Sequence, residues 1–185
     1  MNTKEIKIIL NLASDSIRSK FEGKELKIDE SKLPDILKEE RACFVTLTIE
    51  GELRGCIGHL LPTQPLYLDI IENARGAAFR DSRFNPLSEA EFEKIKIEVS
   101  VLDIPHHLEY KSVAELIKFL QENKPGVIIK KGGYSATFLP AVWEELTQPE
   151  DFLSHLCTKA GLHEGEWKGG ELEVEVYGVV KFIKL

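Results

Sequence analysis

The residues best suited to chemistry lie in one short run, Leu53-Arg54-Gly55-Cys56-Ile57-Gly58-His59. Thiolate is the reactive form of cysteine and a neighbouring positive charge favours it, so Arg54 makes Cys56 the leading nucleophile candidate. Glycine weakens a strand, and the pair at 55 and 58 predicts a bulge, or a point where a ligand or another backbone comes close. In a regular strand Arg54, Cys56 and Gly58 share one face, and Leu53, Ile57 and His59 share the other. His59 is the nearest candidate general base, but strict alternation turns it away from Cys56 unless a bulge intervenes. The competing reading of Cys56 is a small buried hydrophobe, because free cysteine is among the most buried residue types.

Arg54 is the more informative neighbour. An arginine in an apolar strand is costly unless paired, so it should meet either a carboxylate or an anionic ligand. Two carboxylates are candidates. Glu98 lies beside Ser100 on the polar side of a later strand, and Asp81 lies in the turn Arg80-Asp81-Ser82-Arg83-Phe84-Asn85-Pro86. An Arg54–Glu98 pair would be either structural or part of a ligand site. Asp81 also has an ordinary use, bonding the backbone of its own turn, whereas Arg83 has no such local role.

The other reactive residue types make weaker cases. His106 and His107 are adjacent, so a strand would point them to opposite faces, and with His155 and His163 they show no metal-ligand spacing. Gly132-Gly133 lacks the spacing of a phosphate loop and suits a hairpin turn. Cys157, Trp143 and Trp167 read as packing residues.

The elements that carry these residues follow from periodicity. Residues 3–21 place Ile6, Ile9, Leu10, Ala13, Ile17 and Phe21 on one helical face, with Asn2 and Glu5 as a capping pair. A charged, turn-rich stretch over 22–41 precedes a hairpin formed by Cys43–Ile49 and Glu52–Leu60. Helices follow over 66–80 and from Pro86 through Phe92, then a half-buried strand in which Ile95, Ile97, Val99 and Val101 alternate with polar residues. After a helix over 112–121 come a hairpin (126–130 and 134–138), a helix from Leu139-Pro140 to near Leu146, a second helix through Cys157, and one final strand over 172–183. The order hairpin, helix, helix, strand thus occurs twice, without residue identity between the copies. An α+β protein is expected, with an antiparallel sheet and helices on one face.

Composition sets outer bounds. The 185 residues fit one domain, and hydrophobic and charged fractions of 43% and 30% exclude wholesale disorder. Lys+Arg at 24 against Asp+Glu at 31 gives a net charge of -7, which argues against a broad nucleic-acid footprint. The three cysteines form neither a C-x-x-C pair nor a disulfide framework, so reduced thiols and a cytoplasmic protein are expected. The apolar cluster at Ile8–Leu10 is too brief for a signal-peptide core or a membrane span.

Five motifs, taken together, resemble the AMMECR-type domain, known in prokaryotes as AmmeMemoRadiSam system protein A. They are LRGCIG (53–58), DSRFNPL (81–87), IEVSVL (97–102), ATFLPAVW (136–143) and FLSHLCTKAGL (152–162), in the family's order and approximate spacing. The resemblance runs from about residue 40 to the C-terminus. It implies a single α+β domain, 1–185, in two lobes with a cleft lined by Arg54, Gly55, Cys56, Ile57 and Gly58, and it nominates Asp81, Arg83, Glu98, Ser100 and Thr137. It implies no established reaction or cofactor, and it associates the family with Memo-like and radical-SAM proteins as partners. The sequence departs from the family at Asn85, where proline is frequent. It departs again at Lys124-Pro125-Gly126, where a His-Gly pair is common, and this removes one candidate general base.

From the residues and the resemblance together, Cys56, Arg54 and Glu98 are the catalytic candidates. Gly55, Gly58, His59, Asp81, Arg83, Ser100 and Thr137 are the binding candidates, with an anionic small molecule as a candidate ligand and no metal site.

Overall fold

A computed structural model describes residues 3–183. Asn2, half of the expected capping pair, lies outside them. The chain forms two compact units, one holding the described residues through Asp103 together with those from Val180, the other Ile104–Val179. Among the described residues no helix is long and apolar enough to cross a membrane.

In the first unit α1 (Thr3–Phe21) buries Ile9, Ala13 and Ile17 completely, as its periodicity predicts. After the short α2 (Asp35–Lys38), β1 (Cys43–Ile49) and β2 (Glu52–Gly58) form the expected hairpin. Then follow α3 (Leu66–Phe79), the single turn α4 (Glu89–Phe92) and β3 (Lys96–Leu102). The strand order is β2-β1-β3-β8, where β8 (Val179–Ile183) is the last strand of the chain. Cys43, Val45 and Leu47 of β1 and Ile97, Val99 and Val101 of β3 join a core with α1 and α3. The other face of this sheet carries Phe44, Thr46, Cys56, Gly58, Glu98 and Ser100, since Thr46 is in register with both Cys56 and Glu98, and Phe44 with both Gly58 and Ser100.

The second unit contains β4 (His106–His107), α5 (Val113–Asn123), β5 (Gly126–Lys131), β6 (Tyr134–Phe138), α6 (Pro149–Lys159) and β7 (Glu173–Tyr177). Its strand order is β4-β7-β5-β6. In both sheets the first strand of the hairpin lies between its hairpin mate and the strand that closes the series. Val127, Ile129, Val174 and Val176 face a core with Leu116, Leu120, Phe152 and Leu156. The rings of Trp143 and Phe152 stack at 3.8 Å.

Two elements differ from expectation. The single strand expected over 172–183 is two strands in different sheets, β7 and β8, with Gly178 between them. Alternation continues through both halves, so periodicity carries no sign of the change of sheet. The helix expected from Pro140 is a 3-10 turn, Pro140–Glu144, because its backbone closes in three-residue steps, Val142 N–H to the Leu139 carbonyl and Glu145 N–H to the Val142 carbonyl.

The glycines of β2 have a packing cause. A Cβ built on Gly55 would lie 2.1 Å from the carbonyl oxygen of Ala77 in α3, and one on Gly58 would lie 2.3 Å from the Phe44 ring. Helix and strand therefore meet backbone to backbone at residue 55. The hairpin register shifts between Leu47 and Thr48, whose partners are Gly55 and Leu53, which leaves Arg54 as the extra residue of a bulge. Because the obstacle at position 55 is backbone, no rotamer change relieves it. Gly55→Ala should therefore cost about 3 kcal/mol or more, read as a lower urea midpoint at unchanged slope.

Candidate functional site

β2 is an edge strand, so half of its backbone groups lack a neighbouring strand. At Cys56 two side chains take that strand's place. Asp81 Oδ2 accepts the Cys56 N–H at 2.9 Å, and Arg83 Nη2 donates to the Cys56 carbonyl at 3.2 Å. Asp81 and Arg83 also bind each other, Nη2 to Oδ2 at 2.7 Å and Nε to Oδ1 at 2.9 Å. Asp81 Oδ1 further accepts the backbone N–H of Arg83 at 3.1 Å, so the ordinary turn role of Asp81 and its reach to β2 coexist. The hydrogen bond from Arg83, joined by those from the backbone of Cys56 and Arg83, holds the Asp81 carboxyl well below the usual carboxylate range. α3 delivers this turn: it ends at Phe79, and Leu87 N–H returns to the Ala78 carbonyl at 2.7 Å.

With its backbone fixed, Cys56 presents a half-buried Sγ to the polar face of the sheet. The Thr46 hydroxyl donates to it at 3.3 Å. Glu98 lies on the same face beyond Thr46, accepts from the Ser100 hydroxyl at 3.2 Å and pairs with Lys181 at 3.5 Å. Neighbouring strands are about 4.8 Å apart, so Glu98 on the second strand over is about 10 Å from Cys56 and does not reach its proton directly.

Arg54 does not pair with Glu98 and makes no hydrogen bond to Cys56. The bulge turns it to the strand edge, where Nε and Nη2 grip Glu91 at 2.8 and 3.2 Å and Nη2 also donates to the Asn85 carbonyl at 2.9 Å. Glu91 is positioned as the third residue of a capping box with Ser88 at the start of α4. Arg54, with the backbone and hydroxyl of Ser88, draws its carboxyl down to about 2. Arg54 and Arg83 both lie over the Phe84 ring, at 5.7 and 5.6 Å. Each arginine nominated for an anionic ligand is thus already paired with a carboxylate, which weakens the case for such a ligand at this place, although Nη1 of Arg54 is buried without a hydrogen-bond partner.

His59 lies apart from Cys56, with Nδ1 2.6 Å from Asp69 Oδ1 on α3. Asp69 also accepts the Cys43 N–H at 2.8 Å, Asn73 Nδ2 at 2.9 Å and Gln64 Nε2 at 3.2 Å. Sequence reasoning missed Asp69, Asn73 and Glu91. The available signals were two polar residues four apart on the buried side of an apolar helix, and the Ser88-x-x-Glu91 pattern. Thr137 belongs to the second unit, where its hydroxyl meets the Tyr177 hydroxyl at 3.0 Å. Cys43 and Cys157 are fully buried, and burial pushes both thiols up.

Two antiparallel four-stranded sheets, each with helices against its core face, define an α+β protein. The chain belongs to the AMMECR1 family, whose profile matches residues 10–182. A protein of Aquifex aeolicus is 36% identical over 176 residues, covering 94% of this chain and 89% of its own. One of Methanopyrus kandleri is 40% identical over 159 residues, covering 82% and 75%. The crystal structure of an uncharacterised protein from Pyrococcus horikoshii is similar with a TM-score of 0.81 at 31% identity, covering all of this chain and 93% of that one.

The Arg54–Glu91 pair carries a pH signature. In the unfolded chain Glu91 titrates around 4.5, and in the fold it is held near 2, so the ionised pair favours folding above pH 4.5 and its contribution fades as pH falls toward 2. Glu91→Gln should unfold at a lower urea concentration than the unaltered protein near neutral pH. The gap between the two should narrow steadily through that acidic window.

Proposed function

We propose that this protein works through a ligand-binding surface on the polar face of the first unit's sheet, with the Cys56 thiol as the group that meets the ligand. Thr46, Glu98 and Ser100 are its polar surround. The observation that carries this reading is the clamp on Cys56: N–H and carbonyl are both held by the Asp81–Arg83 pair while the thiol faces away from the apolar core. The other two cysteines lie inside the cores. Binding is favoured over nucleophilic catalysis because His59 is held by Asp69 and Glu98 is two strands away.

By family resemblance, Memo-like and radical-SAM proteins are the first candidate partners, and three free thiols suit a reducing, cytoplasmic setting. A scaffold reading draws support from the exposed Leu53, Leu61 and Leu68 of the same unit, at 43%, 59% and 39%. Co-purification of those partners that survives Cys56→Ser would favour the scaffold.

Alkylation of each thiol in the folded protein, resolved by mass spectrometry, tests the site. Cys56 should label while Cys43 and Cys157 stay unlabelled until unfolding, and Asp81→Asn, which loosens the clamp, should change the Cys56 rate alone. Protection of Cys56 equal to that of the other two would sink the proposal. Fast labelling far below the ordinary thiol range of about 8.5 would move it to nucleophilic chemistry.

A further inference from the structure

We propose that His59 and Asp69 form a second site, independent of Cys56, in which Nε2 of His59 accepts a proton from the hydroxyl of a small molecule, water included. Asp69 is a carboxylate whose side chain is only 2% exposed, and every hydrogen bond it receives fixes its orientation. Oδ2 takes the Cys43 N–H and Asn73 Nδ2, and Oδ1 takes Gln64 Nε2 and faces His59 Nδ1. Ionised oxygen 2.6 Å from Nδ1 requires a proton between them, so Nδ1 is the protonated nitrogen. Asn73 Nδ2, at 3.4 Å from the same nitrogen, is the more distant and uncharged competitor. In the neutral ring Nε2 is then left with its lone pair.

That lone pair is available. The His59 side chain is 40% exposed although its Nδ1 edge rests on a buried carboxylate, and among the described residues nothing hydrogen-bonds to Nε2. The residue is also fixed from its backbone, because His59 N–H donates to the Cys43 carbonyl at 3.1 Å. A buried acid orienting an imidazole whose far nitrogen is open is the base-and-orienter half of a proton-transfer site. Gln64 joins Asp69 to the exposed carboxylate of Glu72, at 3.0 Å, and Arg80 Nη2 donates to the Glu72 carbonyl at 3.4 Å, so both signs of charge stand near the ring. In the step itself the substrate O–H bond breaks, its proton goes to Nε2 and its electron pair stays on oxygen. The imidazolium that results is stabilised by Asp69.

Two measurements on the full chain decide the matter. Nitrogen-15 spectra of the unaltered protein, recorded above the pH at which the ring loses its second proton, should show His59 as the Nδ1–H tautomer, and the Nε2–H tautomer would overturn the proposal. The second is hydrolysis of p-nitrophenyl acetate in a Cys56→Ser background, which keeps thiol chemistry and the Cys56 proposal out of the readout. There Nε2 takes a proton from the attacking water, oxygen bonds to the carbonyl carbon, p-nitrophenolate leaves, and the imidazolium returns its proton to solvent. His59→Gln should lower that rate about tenfold or more, with a solvent deuterium effect on the His59-dependent part. A rate indifferent to His59→Gln would mean a purely structural brace and overturn the proposal. Asp69→Asn should lower the rate as well and scramble the tautomer. If that variant fails to fold, seen as Cys43 becoming alkylatable, the tautomer and His59→Gln results stand without it.

Discussion

The approach of α3 to β2 at Gly55 sets the terms for the rest of the first unit. With the Ala77 carbonyl 2.1 Å from where a Cβ would sit, strand and helix are closer than any side chain allows. Ile57 then packs against Gly76 of the same helix, with its side chain at 3.0 Å from where that Cβ would be. A helix pressed so tightly on an edge strand has little freedom at its C-terminal end. The turn that follows must therefore come out beside Cys56, where Asp81 and Arg83 satisfy backbone groups that an edge strand would otherwise expose. The bulge at Arg54 is the complementary adjustment, because it releases one residue from the ladder and sends its guanidinium to Glu91.

Much of this was readable from local pattern. The hairpin strands, the amphipathic α1 and the meaning of glycine inside β2 follow from short-range rules of alternation, helical period and missing side chains. The family motifs likewise marked the segment on which these contacts converge. What could not be read is which polar group meets which. Glu98 and Asp81 were the candidate partners for Arg54, but one inserted residue redirects the arginine, and the capping box of α4 holds a different carboxylate ready 37 residues away. Alternation presumes regular pairing, so it fails at a bulge and gives no warning. The division of the last segment into β7 and β8 escaped for a related reason, since both halves keep the same period while changing sheets.

Asp69 shows a further limit of local reading. A buried carboxylate is expensive unless its oxygens are occupied, and here donors come from β1, from Gln64, from α3 itself and from His59. No sequence window contains that set. Those hydrogen bonds offset the cost of burial, and they tie the start of β1 to α3 and fix the ring of His59.

Alternation along a single strand also separates the chemistry of this unit. Cys56 points to the polar face with Thr46 and Glu98, while His59, just past the end of β2, is drawn to the α3 side by Asp69. Cys43, in the neighbouring strand, faces the core, and its thiol is pushed up by burial and by Asp69. A cysteine–histidine dyad would need the two side chains on one face, and His59 is held away from Cys56 by Asp69 at its ring and by the Cys43 carbonyl at its backbone N–H. Thiol and imidazole are therefore separate resources, and any chemistry that one of them supports has to be completed by a ligand instead of by the other.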